Sequence, residues 1–412
     1  MAQARPTAQE RRPHRGHLAD EPERTVGRYA SVEGYRGLAA LLIVVFHVYQ
    51  YMRTGEPTRY PLEGTGWHTV LIGLDCFVGL FFVLSAFLLG LPYARAALAG
   101  VRPMSARAFL FRRAVRIVPL YLVAILIVWS ARNRTLPGDW RDLLEHLTFT
   151  QVFDDKRIFY TIGPAWSLAV EVHFYLLLAL LGGAAYAVCR RFDGRRRRLL
   201  ALLVAVAALG ALSMAWKLVA FYVLGLGEDS WWVWFSLPAK LDLFAFGLLL
   251  AVAVAARGEQ PFVAWPLRAT FIGLGTVMLV AAFAARDPHP VPHVYFHTAT
   301  GIGFAFLLAA SVLAPPGVTG RILASAVPAL LGVISYSLYL WHEPVMLFLA
   351  GHHLFPTPGT PNSFPLGVLV LVPVSGVVAW LSYWIIEYPT GMLRRTRTSE
   401  GKPREYYERT PR

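Results

Sequence analysis

Ten apolar runs, each about as long as a bilayer is thick, follow one another along this sequence. They fall near 34–52, 70–92, 111–131, 162–188, 199–224, 232–256, 266–285, 294–314, 323–350 and 365–387. A helix needs about 20 predominantly apolar residues to cross the hydrocarbon core. Inside that core each backbone N–H and C=O must find an internal partner, and a helix supplies one for every residue. The chain is 56% hydrophobic and only 16% charged, far from the balance of a soluble domain. The expected fold class is therefore an all-α integral membrane protein, a bundle of about ten transmembrane helices. The run at 294–314, which holds His297, and the division between 199–224 and 232–256 are the least sharply bounded.

The formal charge of +14 is distributed in a pattern that predicts sidedness. Arg11, Arg12, Arg15, Arg24 and Arg28 precede the first run. Arg95, Arg102 and Arg107 follow the second, "RRFDGRRRR" the fourth, Arg257 and Arg268 the sixth, Arg321 the eighth, and "RRTRT" opens the C-terminal tail. The alternate loops are acidic, balanced or uncharged, and the longest, 132–160, mixes both signs. Loops rich in Lys and Arg stay cytoplasmic, so both termini are expected in the cytoplasm and the membrane is expected to be the plasma membrane. The charge is then a topology signal, and nucleic acid is not an expected partner. Residues 1–30 and 396–412 lack apolar periodicity and read as disordered basic tails flanking one membrane domain, 31–395. The first 30 residues also lack a signal-peptide core, so the first apolar segment is expected to be retained. Cys76 and Cys189 fall near opposite membrane faces and are expected to be free thiols.

The informative residues are the polar ones inside these runs. Arg36 and His47 are eleven positions apart, about three turns and roughly 16 Å along one helix face. An ionisable group at that depth is costly and marks a functional site by default. In "GPAWSLAVEVHFYLLLALL", Ser167, Glu171 and Tyr175 follow at i, i+4 and i+8 and form one polar stripe. Counting turns from both faces puts Glu171 and His47 at one depth, where they are expected to pair, whether for chemistry or only for packing. Ser335, Tyr339 and His342 share a face of the ninth run, with His342 near its outer end, a position that also suits an interface anchor beside Trp341. Asp75, near the outer end of the second run, needs only interface solvation, and His173 points away from Glu171 and reads as structural. On the cytoplasmic side Arg113 and Arg116 share a face at headgroup level, suited either to lipid phosphate or to a phosphorylated ligand. Pro119 is expected to kink that helix beside them. Glu387 ends the last run at the same level and is placed to orient one arginine.

Together these stretches resemble the acyltransferase-3 family of multi-pass membrane acyltransferases. "EGYRGLAALLIVVFHV" matches its first-helix pattern through Arg36 and His47, and "FRRAVRIVPLY" its Arg-x-x-Arg-Ile-x-Pro element through Arg113 and Arg116. "FFVLSAFLL" resembles the second-helix signature, with Ala86 where Gly is usual. "WSLAVEVHFYL" matches through Trp166, Ser167, Glu171 and Tyr175, and "LDLFAFGLLLA" through Asp242, Phe244 and Gly247. "SYSLYLWHEPV" and "EYPTGMLRR" match the last two elements, so the resemblance covers about residues 31 to 395.

The resemblance implies transfer of an acyl group, often acetyl, from cytoplasmic acyl-CoA to a hydroxyl of a sugar, glycan, glycolipid or secondary metabolite. Arg36, Arg113, Arg116 and Glu387 are then the candidate donor-binding residues. A thioester is already activated, so no metal and no permanently bound cofactor is expected, only acyl-CoA as donor. The reaction needs a base for the acceptor hydroxyl and stabilisation of the oxyanion. His47 is the expected base and Glu171 its expected partner. Ser167 is a candidate for a covalent intermediate, and His342 is the other matched histidine. The competing class is a transporter or flippase of a polar lipid or glycoconjugate that uses the buried charges as a proton relay.

Overall fold

The computed structural model describes residues 30–227, 229–258, 263–286, 293–313 and 318–392. Apart from Ala30, the tails expected over 1–30 and 396–412 lie outside the described residues. Within these the chain is helical: α1 is Ala30–Tyr51, α2 Gly66–Ala99 with a 3-10 turn at Leu74–Cys76, α3 Ala106–Arg132 and α4 the short Trp140–Leu147. Next come α5 Ala165–Cys189, α6 Arg195–Leu218, α7 Leu237–Arg257, α8 Trp265–Ala284 and α9 His293–Val312. The chain closes with α10 Val318–Leu323, α11 Ala326–Val333, α12 Ser335–Gly351 and α13 Ser363–Ser382. Extended pairing among the described residues is limited to one isolated bridge, Thr54 to Arg59.

Among the described residues nine helices are long and apolar enough to cross a membrane: α1, α2, α3, α5, α6, α7, α8, α9 and α13. The tenth expected run, 323–350, is present as two pieces, α11 and α12, which meet at Ile334. Ser335 Oγ donates to Gly332 O at 2.8 Å across that joint, an alternative partner for the carbonyl where the α-helical series is interrupted.

Close backbone contact holds the bundle together, as expected where lipid gives no hydrophobic drive between helices. A Cβ on Gly247 of α7 would lie 2.2 Å from Val83 O of α2, so only glycine allows this approach. Phe244, one turn earlier on α7, stacks on Phe174 of α5 at 3.9 Å and meets Phe82 of α2 at 4.8 Å. The ring of Phe364, at the start of α13, packs edge-on against Tyr49 near the end of α1 at 5.2 Å. These two helices are therefore antiparallel, and Ala30 and Met392 lie at the same face of the bundle. Ser105 caps α3 by accepting from the Ala108 N–H at 3.3 Å, which starts that helix just before its arginines.

Candidate active site

Five polar helix faces converge on one internal cavity. It is lined by Arg36 from α1, Ser85 from α2, Arg113 and Arg116 from α3, Ser167, Glu171 and Tyr175 from α5, and Ser335, Tyr336 and Tyr339 from α12. The three arginines lie toward the face where the described chain begins and ends. Ser167 and Tyr339 lie deeper. The apolar wall comes mainly from α2, including Phe81 and Phe82.

Glu171 is held by neutral hydroxyls. The Tyr175 OH donates to Oε1 at 2.6 Å, and Ser85 Oγ donates to the same oxygen. Arg36 is within electrostatic reach of Glu171 and of Arg116. One turn farther along α5, Ser167 Oγ and the Tyr339 OH are 2.7 Å apart, and both also reach Pro164 O at 3.1 Å. Glu387 accepts from Ser337 Oγ and faces Arg116 and Arg36 electrostatically, standing behind the arginines.

Beyond Tyr339 lies a histidine pair. The Tyr339 and His342 rings are 5.9 Å apart, and His342 Nε2 is 3.0 Å from His47 Nδ1. The tautomers can be assigned from the carbonyls around the pair. His342 Nδ1 faces Leu338 O at 3.2 Å and His47 Nδ1 faces Ile43 O at 3.0 Å. A carbonyl only accepts, so each Nδ1 carries a hydrogen. His342 Nε2 is then a lone-pair nitrogen, and the single His47 Nδ1–H is shared between it and Ile43 O. What remains is His47 Nε2, unprotonated and without a hydrogen bond among the described residues.

This geometry corrects two expectations. Glu171 is not the partner of His47: its partners are Ser85 and Tyr175, and the partner of His47 is His342. The depth count placed Glu171 too close to His47 because it started α5 at the membrane surface. In the structure Ala165 O, at the start of α5, accepts from Gln151 Nε2 at 3.4 Å, and that same Nε2 donates to the Tyr121 OH at 3.3 Å. Tyr121 is on α3, eleven residues before its end, so α5 starts well inside the bundle. The second correction concerns His342, which is 0% exposed and does not serve as an interface anchor.

Other polar residues also find protein partners. Asp75 forms an ion pair with Arg286, at 2.8 and 3.2 Å. His173 stacks on Phe153 at 5.5 Å, outside the cavity lining. Asp242 pairs at 2.7 Å with Lys217, a residue the sequence reading passed over. Ser85 and Tyr336 also line the cavity without having been expected there, whereas Tyr339 belongs to the polar face expected with Ser335 and His342. The available signal was a hydroxyl interrupting an apolar run, on the face that also carries a motif.

The class is a multi-pass integral membrane protein, a helical bundle with an arginine-lined internal cavity and, outside that lining but against its Tyr339, a paired histidine. The acyltransferase-3 family model, described as an "Acyltransferase domain", matches residues 29–384, and the chain belongs to that family. It is an acyltransferase on that ground. It is 26% identical over 376 residues to the "Putative membrane-bound transacylase BcsY" of Komagataeibacter xylinus, covering 87% of this chain and 82% of that one. It is 30% identical over 213 residues to "Nodulation protein 10" of Rhizobium leguminosarum bv. viciae, covering 47% of this chain and 53% of that one. It is 22% identical over 381 residues to a "Putative O-acetyltransferase" of Staphylococcus aureus (strain COL), covering 87% of this chain and 56% of that one. The chain thus spans about half the length of the last two. No solved structure matches it.

Proposed function

We propose that this enzyme moves an acyl group, acetyl in the simplest case, from cytoplasmic acyl-CoA to a hydroxyl of a glycan, glycolipid or secondary metabolite. In this reading the face carrying the two chain ends is cytoplasmic and the membrane is the plasma membrane. The arginine-rich loops support that orientation, and maleimide labelling of Gly194→Cys only from the cytoplasm and Gly227→Cys only from outside checks it. Arg113 and Arg116 take the CoA phosphates as charge-assisted donors at the cavity mouth, with Arg36 deeper and Glu387 balancing the charge. The pantetheine arm then runs past Glu171 and brings the thioester toward Ser167 and Tyr339.

His47 is the base. Its free Nε2 takes the acceptor's proton as the oxygen attacks the thioester carbonyl, and as the C–S bond breaks His47 returns that proton so that CoA leaves as the thiol. The Ser167 and Tyr339 hydroxyls are placed to donate to the oxyanion. The partner of Ser167 is Tyr339 and not an imidazole, which favours direct transfer over an acyl-Ser167 intermediate. The observation that supports this reading is that His47 Nδ1 faces two acceptors, Ile43 O and His342 Nε2, each at 3.0 Å, which favours the tautomer with Nε2 free.

The test is radiolabelled acetyl-CoA with purified protein in detergent. An acyltransferase binds it and slowly transfers the acetyl group to water or to an added polyol, releasing CoA. A protein that neither binds nor turns over acetyl-CoA contradicts the proposal.

A further inference from the structure

The long segment between α3 and α5 is not arranged like an aqueous loop. It turns back along α3 at once. Near the end of α3, Trp129 Nε1 donates to Asp139 O at 2.9 Å, and at mid-helix the Tyr121 OH donates to His146 O at 3.0 Å. Eight residues separate Trp129 from Tyr121, so α4 descends about 12 Å alongside α3. Phe149 then stacks on Tyr121 at 4.4 Å before the chain turns back.

On α4 one polar face is buried and large apolar side chains are open. Asp142 and His146 of α4 are 0% exposed, and Thr161 Oγ1 donates to Asp142. On the outward side Trp140 is 61% exposed, Leu144 51% and Phe153 55%, with the open Arg141 side chain tied to Glu145 at 2.9 Å, while Leu143 packs inward. A helix in water does the reverse. The adjoining α3 surface at the same height is also apolar and open, with Leu126 47% and Ile127 54% exposed. α3 is one of the membrane-crossing helices, so its open face defines what surrounds α4.

We infer that residues 140–153 form a re-entrant membrane element whose outward face is covered by lipid acyl chains of the leaflet opposite the chain ends. Non-helical backbone at such depth is tolerated only where protein satisfies it; here Tyr121 donates to His146 O and Gln151 to Ala165 O, while Thr161 donates to the Asp142 carboxylate. The element holds the start of α5, and with it Ser167, below the membrane surface. This inference concerns lipid contact and does not depend on the catalytic reading.

The test uses nitroxide labels in liposomes, with Cys76 and Cys189 replaced by Ala. Labels at Leu144→Cys and Phe153→Cys should be relaxed by oxygen and shielded from a water-soluble nickel chelate, matching a label at Ile127→Cys. A label at Lys156→Cys should show the opposite preference. Chelate access at positions 144 and 153 equal to that at 156 overturns the inference, since the segment is then an aqueous flap. Shielding from both reagents overturns it too, because protein and not lipid then covers the face.

Discussion

His342 Nε2 lies 3.0 Å from His47 Nδ1, joining α12 to α1 across 295 positions of sequence. Because Leu338 O fixes the hydrogen on His342 Nδ1, His342 can only accept from His47. Together with Ile43 O, this contact favours the tautomer in which His47 Nε2 keeps its lone pair. His342 is therefore a positioning residue. We expect His342→Gln, whose amide oxygen can still accept, to keep more activity than His342→Ala. The alanine variant should lose roughly 10- to 100-fold in kcat, on the order of one charge-free hydrogen bond plus misorientation, with KM for the donor nearly unchanged. Glu171→Gln also lowers activity, but it touches neither imidazole and so leaves the shape of the pH–rate profile as in wild type. A Glu171→Gln profile that shifts while the His342→Gln profile does not reverses the assignment.

Donor binding is assigned to the arginines on α3. Replacing both Arg113 and Arg116 by Ala is expected to raise KM for acyl-CoA by about 10- to 100-fold, the loss of a charge-assisted contact. Double lysine restores only part, since an ammonium lacks the planar fork that grips phosphate with two bonds. Steady-state kinetics with acetyl-CoA decide this. Unchanged KM in both double variants means the arginines bind lipid instead.

How much of this was readable in the sequence follows from what each signal measures. Apolar run length reports membrane crossing directly, and nine of the ten expected crossings are single helices. The tenth is broken at Ile334 because Gly332 and Ser335 interrupt the helical bonding, a local effect that hydropathy does not register. The Ser167, Glu171 and Tyr175 stripe was legible because helical spacing alone places it on one face. Which residue Glu171 would meet was not, because depth was counted from a membrane surface that α5 does not reach. His342 was legible as a motif residue and misplaced as an interface group for the same reason: spacing along one helix says nothing about what the neighbouring helix covers.

Outside the spans, Asp139 and Asp154 make the long segment acid-sensitive. Burial opposes their ionisation, but the backbone N–H groups of Asp142 and Lys156 and the Arg157 guanidinium outweigh it, so both carboxyls titrate below the usual carboxylate range. Groups depressed in the folded state stabilise it above their unfolded pKa, about 3.9, and that contribution is lost as pH falls through the folded values. Hydrogen exchange across 154–160 should therefore stay slow from neutrality to about pH 4 and quicken below it, after correction for intrinsic rates. Arg157→Gln should quicken exchange already at neutral pH and flatten its rise below about pH 4. Protection that is flat down to pH 2 in both proteins contradicts this account of the loop.

The central claim is that His47 Nε2 takes the proton, and the most direct measurement is acyl transfer by His47→Asn alongside acetyl-CoA binding by the same preparation. Asparagine can hydrogen-bond where imidazole did but cannot accept the acceptor's proton. Losing a general base costs roughly 10²- to 10⁴-fold. The account predicts a transfer rate lowered by that factor, with monodisperse protein and near wild-type affinity for acetyl-CoA. A well-expressed His47→Asn enzyme that transfers acyl groups at the wild-type rate contradicts it.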